Sequence, residues 1–512
     1  MDTGRPTRIS DDPWRVAVVL TAAITLARLA ALFATPLDLY PDEAQYWLWS
    51  RTLDLGYFSK PPLIAWTIRA TTAIGGDAEP WVRLASPLFH AGATLAVFAI
   101  GRRLYGQSVG LAGAGLYALM PGVQLSSAIM ATDAPLLFFL GLALLAYARL
   151  PHAEGRSRLW LAAGLGAAMG LAFLSKYAAV YGVIGIGLHL ALSKRSRAAW
   201  TPAAALLAVA VLLAILGPNL AWNATHGFAT FQHTAANAAW GGRRLFNPEE
   251  LGDFIASQFG VFGPVPFAVL IGGSAVLAAR RRLTGPDLML LCFALPPLVI
   301  VTIQSFVSRA NANWSGAGYL PGAILVAAWL IRWRARAWLA AALALQGVVA
   351  ALFLLCIILP QTADAIGVAN SFKRAKGWSQ ISRMVLDRVR QEPGLTAIAV
   401  NDRFLFNALA YYGRETFADP ATPPLTAWLL TGAPRTQAES MAPLTRANGR
   451  HVLAVALNGV YREAMADDFH ATSGLEVVSV RLDHKRRLQA TMFLGENFAP
   501  RPRPLNGPPT PP

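Results

Sequence analysis

Apolar stretches long enough to cross a bilayer recur from residue 14 to residue 359, and they constrain this chain more than any other feature. In hydrocarbon every backbone N–H and C=O must be satisfied internally, so a run of about 20 apolar residues resolves into a helix. The candidate spans are 14–34, 82–101, 108–124, 133–149, 159–175, 178–193, 200–217, 259–279, 286–304, 316–331 and 337–359. The expectation is an all-α polytopic membrane protein of about eleven helices. Composition agrees: the 512 residues are 55% hydrophobic and 14% charged, where soluble chains carry about a quarter charged residues. The first span is followed by acidic and aromatic residues rather than a small-residue cleavage site, so it reads as an uncleaved anchor. Cys292 and Cys356 both fall in apolar runs, which argues against a disulfide framework.

Charge sets the direction of threading. With the N-terminus inside, the inside connections are "GRRLYG", "RLPHAEGRSRLW", "SKRSRAAW", "ARRRLTG" and "IRWRAR", all of them basic. The short outside connections hold little beyond Lys176 and Arg309. Lys/Arg bias in short loops orients membrane proteins, so the pattern supports both the span count and an inside N-terminus. It also accounts for much of the net charge of +16, and no nucleic-acid partner is expected.

An odd number of spans puts residues 360–512 outside. "LTAIAVN", "VLAVAL" and "LEVVSVRL" read as strands, and "RFLFNALAYYG" as an amphipathic helix ending at Gly413. The expected organisation is a membrane domain over 1–359, a small α/β extracytoplasmic domain over 360–498, and a Pro-rich disordered tail over 499–512. Within the membrane domain, 35–81 is a first outside loop with interfacial helices and 218–258 a large outside loop.

The same threading collects unusual polar residues on the outside face. Asp42, Glu43 and Lys60 lie in the first loop, Asp133 at the start of a span, and Lys176 in "LSKYA". Asn219, Asn223, His226, His233, Arg243, Arg244 and Gln258 lie in the large loop, and Arg309, Asn311, Asn313 and Tyr319 in "SRANANWSGAGYLPG". Ionisable groups near hydrocarbon are costly, so a functional site is the default reading. Each group also has a plain structural reading. Asp42, after Pro41, can start an interfacial helix, and Asp133 in "TDAP" can be an N-cap. Lys176 can snorkel to the interface, and Tyr46, Trp47 and Trp49 suit an aromatic belt. His226 and His233, two helical turns apart, are weak metal evidence alone. "YFSKPPLIAW" is harder to dismiss, because a double proline holds Lys60 on a stiff segment suited to a phosphate charge.

One chemistry needs this layout: transfer of a sugar from a lipid phosphate at the outer interface. A carboxylate takes the acceptor's hydroxyl proton, and fixed cations stabilise the departing phosphate. Asp42 is the expected base, with Lys60 and Lys176 as cations and Asp133 orienting Asp42's partners, the acceptor or a divalent ion. Glu43 points about 100° away from Asp42 on a helix and is expected to support it. Neither a P-loop nor an internal repeat is evident.

The N-terminal span followed by "DE", "KPPL", "TDAPLLFF", "FLSKY", "NW" and "YLP" resembles glycosyltransferase family 39, which includes aminoarabinose-to-lipid A transferases and protein O-mannosyltransferases. The resemblance covers most of 14–330. It implies a GT-C fold and an inverting membrane enzyme that uses a polyprenyl-phosphate sugar donor, with its site on the non-cytoplasmic face. The acceptor it implies is a lipid, glycan or protein. By the same resemblance Asp42 and Asp133 match the acidic residues of the first two outside loops, and Lys60 and Lys176 match phosphate-side lysines. Tyr319, Arg243 and Arg244 join them as candidate donor contacts. A divalent metal stays open, with His233 as its candidate ligand. Ser59 stands where the lipid A transferases usually carry Glu before Lys-Pro-Pro, which puts that metal in doubt. The rival readings are a transporter or lipid-linked sugar flippase, and a membrane-anchored binding protein acting through 360–512.

Overall fold

The computed structural model describes residues 12–238 and 246–503. The chain divides into two compact units: Met1–Ala34 with Asp54–Leu355, and Thr35–Leu53 with Cys356–Pro512.

The first unit is helical. Among the described residues, eight helices are long and apolar enough to span a membrane, and ten if each of two bent pairs counts as one span. An eleventh segment, Tyr177–Leu192, is a shorter apolar helix. Every expected span is therefore helical, while the count of eleven crossings depends on that short helix and the bent pairs. The bends have local causes. Pro248–Phe262 and Pro264–Ala279 meet at 115°, where Gly263 takes φ +99° and Pro264 lacks an N–H. Gln107–Leu119 and Pro121–Ala128 meet at 56°, again at a proline. The helix expected over 200–217 instead runs Pro202–Thr225, carrying Pro218 inside it and shortening the large loop.

Small residues let these helices close up, as membrane packing requires. A Cβ on Gly166 would lie 2.2 Å from the Ala208 carbonyl oxygen, so the Gly155–Ser175 and Pro202–Thr225 helices could not approach so closely with alanine there. One polar cluster ties three helices together. Asp287 is fully buried and accepts from both Arg332 guanidinium nitrogens at 2.8 and 3.0 Å. It also accepts from the Tyr105 hydroxyl at 2.8 Å, Trp329 Nε1 at 3.1 Å and the Thr284 backbone N–H at 2.9 Å. Cys292 and Cys356 are free, as expected from their apolar settings.

The second unit is an α/β fold. Its sheet comprises β1 Ala397–Val400, β2 Leu425–Ala427, β3 His451–Leu457, β4 Phe469–Arg481 and β5 Arg487–Phe498, in the order β2-β1-β3-β5-β4. The first three strands are parallel and β5 and β4 antiparallel. Alternation along β1 and β3 sends Ile398, Val400, Leu453 and Val455 to one core. Ala397, Ala399, Val452 and Ala454 go to the other, beside Trp428 and Phe469. Helices Trp378–Gln391 and Arg403–Tyr412 bury Ile381, Val385, Leu405 and Leu409 in the first core. Asp402 starts the latter helix by accepting from the Phe404 and Leu405 N–H groups at 2.7 and 3.1 Å.

Three expectations are corrected in this unit. The segment 35–53, assigned to the membrane domain, belongs here. Asp38 Oδ2 accepts from the Trp378 N–H at 2.8 Å and so caps the Trp378–Gln391 helix, and the Leu39 N–H donates to the Tyr412 hydroxyl at 2.8 Å. Tyr46, Trp47 and Trp49 are buried rather than forming an aromatic belt, and Trp47 meets Tyr411 edge-on at 5.0 Å. The Pro-rich tail also begins later than 499. Asp468, buried, accepts from the Arg501 N–H and from both Arg503 guanidinium nitrogens, which docks 499–503. Residues 504–512 lie outside those described.

Candidate functional site

In the membrane unit, the chain between Lys60 and the next helix is short and stiff. Pro61 and Pro62 lead directly into the helix Leu63–Gly75, and the Tyr57 N–H donates to the Lys60 carbonyl at 3.1 Å. The Tyr57 carbonyl accepts from the Thr230 hydroxyl at 2.7 Å, so two segments hold the turn. Burial raises the Tyr57 hydroxyl to about 12, so it stays protonated at neutral pH. Lys60 is thus presented on a backbone with little freedom.

Lys176 sits in the extended residue that ends the helix Gly155–Ser175. Its ammonium donates to Asp133 Oδ1 at 2.8 Å, with both side chains about a fifth exposed. The other carboxylate oxygen of Asp133 accepts from Asn313 Nδ2 at 3.1 Å. The N-cap of the helix Asp133–Arg149 is Thr132, and the Asp133 carboxylate makes no capping bond. It is spent on Lys176, which corrects the N-cap reading.

Lys60 and Lys176 line one cavity of about 430 Å³, together with Ser59, Tyr177, Gln304 and Trp314. Its wall is held by a polar relay: the Tyr177 hydroxyl donates to Asn219 Oδ1 at 2.9 Å and accepts from Asn223 Nδ2 at 3.0 Å, while Asn219 Nδ2 donates to the Leu55 carbonyl at 2.7 Å. Tyr177 also stacks on Phe231 at 4.6 Å. Two cations at a partly apolar cavity, one of them fixed by a carboxylate, suit a lipid phosphate.

The other expected site residues fall as follows. Tyr319 is fully buried, stacks on Phe262 at 4.4 Å and donates its hydroxyl to Gln258 Oε1 at 2.6 Å. It belongs to the helix core and is not among the residues lining the cavity. His233 meets the Phe58 ring at 6.0 Å. Among the described residues, no three His, Cys, Asp or Glu side chains gather as a metal site, so the residues around His233 do not fit a metal centre. Arg243 and Arg244 lie outside the described residues. In the α/β unit, Glu43 is 1% exposed and its carboxylate accepts the Tyr40 N–H at 2.8 Å, which stabilises the start of the helix Pro41–Arg51. Asp42, one residue earlier, is half-buried and takes no part in that cap. Sequence reasoning left Asn313, Tyr177, Gln304 and Trp314 unassigned. Three of them lay within quoted motifs, Tyr177 at the end of "FLSKY" and Asn313 and Trp314 as "NW", whereas Gln304 carried no signal.

The family model for dolichyl-phosphate-mannose-protein mannosyltransferases matches residues 59–222, the stretch that holds Lys60, Asp133 and Lys176. A lipid A galacturonosyltransferase, RgtD of Rhizobium johnstonii, is 36% identical over 403 residues, covering 78% of this chain and 83% of its own. The chain belongs to this family of membrane glycosyltransferases. ArnT from Cupriavidus metallidurans, solved in the apo state and bound to undecaprenyl phosphate, matches with a TM-score of 0.63 at 19% identity, over 93% of this chain and 97% of that one. The archaeal oligosaccharyltransferase AglB from Archaeoglobus fulgidus matches with a TM-score of 0.53 at 14% identity, over 90% and 71%. At these identities the likeness speaks for the fold.

Proposed function

We propose that this integral membrane enzyme transfers a sugar from a polyprenyl-phosphate donor to a lipid acceptor of the lipid A class, at the periplasmic face of the bacterial inner membrane. The observation that carries the reading is the cavity bearing Lys60 and Lys176, with Lys176 fixed by Asp133. The donor phosphate binds the two ammonium groups. The acceptor oxygen attacks the anomeric carbon from the opposite side, its proton passes to Asp42, and the bond from that carbon to the phosphate oxygen breaks. The phosphate leaves with the electron pair, stabilised by the lysines, so a separate general acid is not required. Asp133 is a positioning residue that acts through Lys176. The relative RgtD makes galacturonic acid the first sugar to try, and the likeness to ArnT with undecaprenyl phosphate supports a polyprenyl carrier.

The test uses purified full-length protein in nanodiscs with lipid A and a panel of radiolabelled polyprenyl-phosphate sugars. Transfer by wild type, lost in Asp42→Asn and reduced in Lys60→Ala, supports the reading. Donor binding left unchanged by both Lys60→Ala and Lys176→Ala would overturn the placement of the phosphate.

A further inference from the structure

A second, larger cavity of about 1080 Å³ lies in the membrane unit and shares no lining residue with the lysine cavity. It runs along the helix Pro264–Ala279, with Val265, Val269, Val276 and Leu277 on its wall. That helix of 16 residues extends roughly 24 Å, more than the ~15 Å of one leaflet, so an acyl chain can lie fully within the groove. Arginines gather at one end only: Arg280, Arg282 and Arg332 line it there, beside Trp333 and Trp338. The first two are set by the turn that ends the helix. The Arg282 N–H donates to the Leu277 carbonyl at 2.9 Å, and Arg281 takes the left-handed conformation, φ +50°. Both Arg280 and Arg282 are exposed, and Trp333 and Trp338 are 42% and 61% exposed. Asp287 neutralises Arg332, which leaves the local charge positive.

We propose that this groove binds an anionic glycerophospholipid. Its phosphate sits at Arg280 and Arg282, its acyl chain lies along the Pro264–Ala279 helix, and the two tryptophans lie at headgroup level. Charge complementarity selects the occupant, because an apolar groove alone would take a zwitterionic lipid equally well, whereas clustered arginines at the interface favour a net negative headgroup. The inference concerns a site separate from the donor cavity and does not depend on the sugar or the acceptor.

The experiment is native mass spectrometry of the full chain released from detergent, titrated with phosphatidylglycerol and with phosphatidylcholine of identical acyl chains. Surface arginines contribute about fivefold each in affinity for an anionic lipid, so wild type should prefer phosphatidylglycerol by more than about fivefold. Arg280→Ala/Arg282→Ala should bring the preference close to one while keeping the melting temperature. Lys194→Ala/Arg195→Ala, in a different basic connection, should leave it unchanged. Trp338→Ala should weaken both lipids together. Equal binding of the two lipids by wild type would overturn the proposal, as would an unchanged preference in the double arginine variant. So would stronger binding of undecaprenyl phosphate at this groove, or its occupation by a second copy of the chain.

Discussion

Asp133→Asn is the most informative single change, because it separates a positioning carboxylate from a catalytic one. The wild-type carboxylate accepts from Lys176 at 2.8 Å and from Asn313 at 3.1 Å. Asparagine keeps the shape but removes the charge and turns one acceptor into a donor, so one partner loses its bond. A hydrogen bond to a charged group is worth about 1.5–3 kcal/mol, and partial exposure of both side chains favours the lower half of that range. At 1.4 kcal/mol per decade, kcat/KM should fall about 12- to 40-fold. Lys176→Ala removes the proposed phosphate contact itself and should cost about 10²-fold or more. If Asp133 acts through Lys176, the double variant should be no worse than Lys176→Ala, giving a coupling energy close to the full effect of Asp133→Asn. The assay is sugar transfer by all four proteins in nanodiscs, with melting temperatures as folding controls. Effects that simply multiply would refute the positioning role and make Asp133 an independent participant.

Three further outcomes test the proposed base and two buried contacts. Asp42→Asn should lower kcat about 10²- to 10⁴-fold with little change in donor affinity, measured by turnover and by donor binding on the same preparation. Asp287→Ala leaves Arg332 without its carboxylate and should destabilise the membrane unit by about 3 kcal/mol, toward the low end for a buried pair because Arg332 is 33% exposed; detergent melting curves report it. Trp47→Ala empties a buried aromatic site against Tyr411 and should cost the α/β unit about 3–5 kcal/mol, seen as faster proteolysis within Cys356–Pro512 than within the spans.

The helical spans, the basic connections and the α/β character of the C-terminal region are legible in the sequence, because each rests on local properties. Span length and apolarity decide whether backbone groups can be satisfied in hydrocarbon, and strand alternation decides which residues face a core. The candidate lysines were legible for a related reason: a cation beside a double proline or at the end of an apolar run is conspicuous where charge is scarce. Contacts distant along the chain were not. Asp133 reads equally well as an N-cap until Lys176, 43 residues on, and Asn313, 180 residues on, are seen to take its two oxygens. Tyr46, Trp47 and Trp49 have the composition of an interfacial belt, and only packing against a helix more than 350 residues later makes them core. Tyr319 lies in a polar motif, yet its side chain is enclosed by Phe262 and Gln258. Sequence alone thus determined which segments enter the membrane and where charge is unusual. Tertiary structure decided what each charge and ring meets, because burial and pairing depend on neighbours that only the folded chain brings together.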